Sequence, residues 1–202
     1  MKKNRGWLVA IEGIDAAGKL TQSRLLSSWL QREKRSTVTI SFPDYTTPIG
    51  KEIKAFLTGS RQYPAELKHM LFAANRWEKL EQLTRYLEGG KVLIVNRYTE
   101  SNLAYGTANG LDLRWLTLLE RGLPRTDLVI LLDAPSSAFR LRRPKSRDVY
   151  ESDDELQEKA RASYRRLALR YHWAVVDAAG DVERIHQRIV ALVSRALSMD
   201  DV

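Results

Sequence analysis

The chain has 202 residues and not one cysteine. That excludes disulfides, thiolate zinc sites and a cysteine nucleophile, and it fits a reducing cytoplasm. Long apolar runs are missing as well. The longest, Trp7–Ile11 and Leu128–Leu132, have the length of core strands, far below the roughly 18 residues that cross a bilayer. The opening MKKNRGWLVAIEG begins like a secretory leader. Its apolar stretch ends after five residues at Glu12, too early for an h-region of about 7–15. The expectation is a cytoplasmic protein with no membrane association. Histidine is scarce, and His69, His172 and His186 show no metal-ligand spacing, so all three are read as structural.

What is present is charge and a foldable core. Hydrophobic residues make up 44% and charged residues 29%, the balance of a folded domain rather than a disordered chain. Lys and Arg number 33 against 25 Asp and Glu, a net charge of +8. Such a surface attracts phosphates, whether of nucleotides, nucleic acid or membrane.

Short apolar runs alternate with longer helical stretches. Strands are expected at Trp7–Ile11, Thr37–Phe42, Lys91–Val95, Asp127–Asp133 and Trp173–Asp177. They are continuous rather than alternating, as in a parallel sheet covered on both faces. Helices are expected at Lys19–Lys34, Pro64–Glu88, Asp112–Arg121, Asp153–Tyr171 and Val182–Leu197, with Pro64 in a first turn and Gly89 as a stop. The alternation predicts a single α/β domain over residues 1–202, a five-stranded parallel sheet flanked by helices through right-handed crossovers.

The strongest motif is Gly13-Ile14-Asp15-Ala16-Ala17-Gly18-Lys19, set between an expected strand and an expected helix, as a phosphate-binding loop requires. The glycines let backbone N–H groups turn toward phosphate oxygens, the helix N-terminus adds its positive end, and Lys19 supplies a full charge to the β/γ-phosphates. The pattern calls next for a Ser or Thr whose hydroxyl ligates Mg²⁺. Leu20 stands there instead. Thr21 lies about 100° further round the helix and does not simply replace it, although its hydroxyl can reach a phosphate oxygen. Asp15 reads either as a turn-forming or capping residue or as a carboxylate placed beside polyphosphate.

Later segments carry further chemistry. Phe72 and Arg76 are four apart on a helix and share one face, where an aromatic plane can stack on a base and an Arg can donate to a base carbonyl; by residue type alone, core packing for Phe72 and a solvated charge for Arg76 are the favoured reading. Arg97 follows an apolar strand, at the edge of a parallel sheet where ligands bind, and an Arg there can grip a phosphate bidentately. Arg140, Arg142, Arg143, Lys145 and Arg147 crowd into eight residues around Pro144. They form a solvated basic turn, a nucleic-acid patch, or a mobile lid of about 140–152 that brings charge to a transferring phosphoryl group.

Together these blocks resemble the thymidylate kinases. The similarity lies in Glu12–Lys19, in Phe42-Pro43, in Leu71–Glu78, in Asn96-Arg97-Tyr98 with Ser101 and Ala104-Tyr105, and in Gly122–Leu128, in the family's order over about residues 7 to 195. The resemblance implies a P-loop NTPase-like fold with an Arg-rich lid, acting as a homodimer. It implies transfer of the γ-phosphoryl group of ATP to dTMP, giving dTDP and ADP, in dTTP biosynthesis, with Mg²⁺ as cofactor. ATP would lie on Gly13, Ile14, Asp15, Ala16, Ala17, Gly18, Lys19, Leu20 and Thr21. dTMP would meet Asp15, Phe42, Phe72, Arg76, Arg97, Ser101 and Tyr105. Phe72 and Arg76 would hold thymine, Arg97 the 5′-phosphate, and Tyr105 would disfavour a 2′-hydroxyl; Phe42–Pro43 would be a cis bond. Lys19, Arg97, Arg143 and Arg147 would be catalytic. The chain departs from the family's pattern at Leu20, at Asn96, where Asp is usual, and at Tyr45, beside which some members carry Arg. Asn96 keeps a carbonyl oxygen but loses the charge, so both Leu20 and Asn96 weaken the expected handling of Mg²⁺. Competing readings are a kinase for dUMP or a deoxynucleoside, a nucleotide-binding paralogue of weakened catalysis and, last, a nucleic-acid-binding protein. The last lacks an interleaved aromatic–basic surface.

Overall fold

The computed structural model describes residues 5–135, 137–138, 150 and 153–198. Five strands, β1 (Leu8–Glu12), β2 (Thr37–Ser41), β3 (Val92–Asn96), β4 (Leu128–Asp133) and β5 (Ala174–Asp177), form one parallel sheet in the order β2-β3-β1-β4-β5. The composition of each strand follows its place. Central β1 and β3 are buried at every residue, and Leu8 pairs with Leu93 and Ala10 with Val95. The edge strands β2 and β5 are only partly covered and carry polar residues. The expected sheet is therefore present, with no boundary moved by more than one residue.

Eight helices are described: α1 (Lys19–Arg32), α2 (Pro48–Leu57), α3 (Ala65–Trp77), α4 (Leu80–Glu88), α5 (Thr99–Ala108), α6 (Leu113–Leu119), α7 (Asp154–Tyr171) and α8 (Val182–Ser198). One face of the sheet packs against apolar side chains of α1, α5, α7 and α8, and the other covers a smaller core with Leu83 and Leu87 of α4. A third cluster, Ile53, Phe56 and Leu57 with Phe72 and Tyr150 against them, stands at the end of the sheet where the strands finish.

Two helices are additional to the expected set, and one expected helix is divided. Helix α2 begins with Pro48 behind Thr47, whose hydroxyl accepts from Gly50 N at 3.0 Å, a regular N-cap. Helix α5 carries Ser101, Asn102, Gly106 and Thr107, weak helix formers. It is held by tertiary contacts: Gly106 lies so close to α6 that a Cβ there would stand 2.5 Å from Leu116. The expected helix Pro64–Glu88 breaks at Glu78-Lys79 because both side chains bond elsewhere. The Glu78 carboxylate accepts from Thr47 Oγ1 at 2.6 Å, Asn75 Nδ2 at 2.9 Å and Ile49 N at 3.1 Å, at the start of α2. Lys79 Nζ meets Asp44 at 2.7 Å.

Candidate active site

The residues singled out by sequence converge at the C-terminal ends of β1 and β3. The loop after β1 places Gly13, Ala16 and Gly18 at φ values of 141°, 63° and 91°, so three residues use the left-handed region that turns N–H groups inward. A side chain at Gly13 would also meet Leu132 O at 2.6 Å. Lys19 opens α1 and folds its ammonium back over the loop, to Gly13 O at 2.9 Å and Ile14 O at 2.7 Å. Helix α1 has Gly18 as its N-cap and no side-chain cap bond, which leaves its first N–H groups facing the loop. Leu20 is half exposed and Thr21 exposed.

Asp15 is not a helix cap. It pairs with Arg97, accepts from Gln157 Nε2 at 2.8 Å, and lies 3.4 Å from the Tyr105 hydroxyl. Its backbone N–H donates to Gln157 Oε1 at 3.0 Å. Burial by itself raises the Asp15 carboxyl. The Arg97 charge, then Lys19, then hydrogen bonds from Gln157 and Arg97 outweigh burial and hold it below the ordinary range. Arg97 sits just past β3 at φ 59°. Its guanidinium lies over the Tyr105 ring at 5.2 Å. The turn that carries it is pinned by Glu12, whose fully buried carboxylate accepts from Tyr98 N at 2.7 Å, Ser101 Oγ at 2.6 Å and Tyr164 OH at 2.8 Å. One carboxylate thus fixes the turn after β3, helix α5 and helix α7 around the end of β1.

Beside this anionic–cationic centre opens a cleft of about 250 Å³. Asp15, Phe42, Phe72, Arg76, Arg97, Ser101 and Tyr105, all anticipated, line it, and so do His69, Asn102, Tyr45 and Tyr150. Phe72 packs edge-on to Phe56, ring centres 5.5 Å apart, and Tyr150 stacks on Tyr105 at 6.0 Å. The Phe42–Pro43 bond is cis. Arg76 is neither a solvated charge nor a free one: it is 2% exposed and paired through two nitrogens with Glu120. His69 is fully buried and neutral. Burial drives its pKa from 6.5 down to about 4, against a hydrogen bond with Asn102 at 2.6 Å.

Asn96 stands apart from the cleft. Its carbonyl accepts from Ser23 Oγ at 2.5 Å and its amide donates to Ser41 Oγ at 3.1 Å, tying α1 and β2 to β3. With Leu20 lacking an oxygen and Asn96 so engaged, the side chains do not fit a protein-held Mg²⁺. Among the described residues no cluster of His, Asp or Glu could hold a metal.

Residues 11–189 match the family model of thymidylate kinase. The chain is 38% identical to the thymidylate kinase of Schizosaccharomyces pombe, with 96% of this chain and 94% of that one covered. The chain belongs to the thymidylate kinase family. It is 41% identical to the probable thymidylate kinase of Thermococcus onnurineus, over 94% of this chain and 98% of that one. The solved Candida albicans thymidylate kinase superimposes with a TM-score of 0.85 at 29% identity, covering 95% of this chain and 92% of that one. The fold is accordingly the P-loop NTPase-like arrangement of that family, and the protein is a nucleoside monophosphate kinase, a phosphotransferase.

Some of the sequence reading lies beyond the described residues: Arg143, Arg147 and the lid at about 140–152, apart from Tyr150. No described helix is long and apolar enough to cross a membrane. Four polar residues of the site escaped the sequence reading: Gln157, Asn102, Glu120 and Glu12 in its bonding role. Gln157, Asn102 and Glu120 lie outside every block of the resemblance, Glu12 opens the phosphate-loop block with no sign of its bonding role, and each acquires its place through contacts between distant elements. His69, expected to be structural, is buried and hydrogen-bonded to Asn102, and it forms part of the cleft wall.

Proposed function

We propose that the chain, as one kinase domain over residues 1–202, transfers the γ-phosphoryl group of ATP to dTMP, giving dTDP and ADP, in dTTP biosynthesis. The observation that carries this is the junction of Asp15, Arg97 and Tyr105 between the phosphate loop and the aromatic cleft. A donor polyphosphate on the loop and an acceptor phosphate on Arg97 would there lie on adjoining sites.

ATP lies on Gly13 to Thr21, with the ammonium of Lys19 at the β/γ-phosphates. The side chains at Leu20 and Asn96 offer Mg²⁺ no ligand, so any Mg²⁺ used would have to be carried by ATP itself. Arg97 grips the acceptor phosphate, whose oxygen attacks the γ-phosphorus as the bond to the ADP oxygen breaks. Phe72 and Arg76 hold the base, Phe42 and Ser101 close the acceptor side, and Tyr105 lies where a 2′-hydroxyl would crowd. Arg143 and Arg147 bring positive charge to the transferring oxygens. Positioning and fixed charge supply the acceleration, and no covalent enzyme intermediate is needed.

The working form is a cytoplasmic homodimer with no nucleic-acid or membrane partner. The exposed apolar residues Leu67, Met70 and Trp77 along α3, with Leu118 on α6, suit a second copy, which sedimentation would register. A second reading, a nucleotide-binding paralogue of weakened catalysis, is favoured by Leu20 and the engaged Asn96.

One experiment separates the readings: ADP formation from ATP and Mg²⁺ with dTMP, dUMP, dCMP, dGMP, dAMP and thymidine as separate acceptors. Turnover with dTMP well above the others supports the proposal. Faster turnover with thymidine removes the role given to Arg97. Tight dTMP binding without turnover selects the second reading.

A further inference from the structure

Arg76 poses a problem that its place in the cleft wall does not solve. A guanidinium 2% exposed to solvent is costly unless its charge is paired and its donors are met. Glu120, immediately after α6, meets both needs. Arg76 Nε donates to Glu120 Oε2 at 2.9 Å and Nη2 donates to Oε1, the bidentate fork that matches a carboxylate. One edge of the guanidinium is thereby consumed. The other, which carries Nη1, is left to the cleft that Arg76 lines.

Glu120 is itself held. Its Oε1 also accepts from Asn102 Nδ2 at 2.6 Å, and the same amide nitrogen donates to His69 O at 3.2 Å. With Nδ2 so used, Asn102 turns Oδ1 to His69 Nδ1 at 2.6 Å, which assigns the proton to Nδ1. His69 Nε2 is then the acceptor for Asn109 Nδ2 at 3.0 Å. Each donor faces an acceptor from Asn109 to Arg76, across α3, α5 and the turn after α6. The network admits one orientation of the carboxylate, and so one orientation of the guanidinium.

We infer that Glu120 is a positioning residue for base selection: it aims Arg76 and cancels its charge, so that the cleft offers a fixed pair of donors instead of a mobile cation. Charge-neutral donors discriminate by hydrogen bonding alone. A pyrimidine with a carbonyl at that edge is satisfied. One with an amino group sets donor against donor and leaves the buried N–H groups unpaired. A loose, uncompensated Arg76 would lose this distinction. The inference rests on the dTMP kinase reading above.

The test compares Glu120→Asp and Glu120→Gln with wild type, using dTMP and dCMP as acceptors and thermal melting as a check on folding. Glu120→Asp keeps the buried charge compensated but shortens the reach by one methylene, so it decides the matter if Glu120→Gln does not fold. Both variants should raise the KM for dTMP by about tenfold or more, leave the KM for ATP unchanged, and alter kcat by less than about threefold. The preference for dTMP over dCMP in kcat/KM should fall by about tenfold. In an Arg76→Ala background, either change should have no further effect on the KM for dTMP, because the aim of an absent side chain cannot matter. A wild-type KM and wild-type preference in Glu120→Asp overturns the inference. So does a loss equal for dTMP and dCMP that follows the melting temperature, or full additivity with Arg76→Ala. If wild type does not phosphorylate dTMP at all, the functional reading falls first and this inference with it. If wild type does and Glu120→Asp is unaltered, only this inference falls.

Discussion

Replacing Glu100 by Gln should stabilise this protein increasingly as pH rises. Glu100 is 5% exposed on α5. One carboxyl oxygen accepts from Thr126 Oγ1 at 2.7 Å, and the other is buried without a hydrogen-bond partner. Burial, and then the charge of nearby Glu12, push its pKa from 4.5 up to about 7. The unfolded chain releases this proton near 4.5 while the folded protein keeps it to about 7. Between those values the folded state binds more protons, so the contribution to stability is greatest below 4.5 and is lost as pH rises through 7. At 1.36 kcal/mol per unit, the change between pH 5 and pH 8 is about 2–3 kcal/mol. Glu100→Gln removes the titration and keeps an oxygen for Thr126. Urea unfolding of both proteins at several pH values is the assay. The variant should gain on wild type by about 2–3 kcal/mol between pH 5 and 8, seen as a moving midpoint at constant slope. A difference that stays constant within about 0.5 kcal/mol across that range would refute the reasoning, because it would mean that Glu100 titrates alike in the folded and unfolded chains.

His69 should act with the opposite sign: its folded pKa, lowered by burial to about 4, contributes a loss of stability as pH drops from 6.5 toward 4, and His69→Gln should remove that contribution in the same assay. Glu100 and His69 oppose each other between about pH 4.5 and 6.5, so the wild-type profile there should be nearly flat and the two single variants should tilt in opposite directions. Gly106→Ala should cost about 1–3 kcal/mol, since the new methyl would stand 2.5 Å from both Cδ atoms of the fully buried Leu116; thermal melting reads it, and Leu116→Val should restore part of the loss. Leu20→Thr with Asn96→Asp should raise Mg²⁺-dependent turnover, and unchanged activity and metal dependence in the double variant would show that neither departure limits the enzyme.

The five strands and the phosphate loop were legible because their signals are local. A buried parallel strand must be apolar throughout, and a loop that wraps phosphate must have residues able to take positive φ between a strand and a helix. Phe72, Arg76, Arg97 and Tyr105 were legible through their spacing and their likeness to a known family. Helix α5 was not, because Ser101, Asn102 and Gly106 argue against a helix and are outvoted by Glu12, Glu120 and the close approach of α6. The break between α3 and α4 was hidden for the same reason. Glu78 is an ordinary helix residue until Thr47 and Ile49 of a distant loop claim its carboxylate. Gln157 is separated from Asp15 by 142 positions, yet it holds that carboxylate and its backbone N–H together.

The buried carboxylates explain why the polar side of the site escaped pattern while the apolar side did not. Glu12, Asp15 and Glu120 each organise a different group: the turn that carries Arg97, the Arg97 guanidinium itself, and the Arg76 guanidinium. An apolar side chain needs only a face to be placed correctly, and periodicity reveals faces. A buried carboxylate needs donors from specific directions, and here each takes them from elements far apart in sequence. Lys19, Arg97 and Asp15 thus stand in motifs that the sequence displays, whereas Glu120, which pairs with Arg76, stands outside them. A substitution at Glu120 should therefore alter dTMP binding without touching any motif by which the family is recognised.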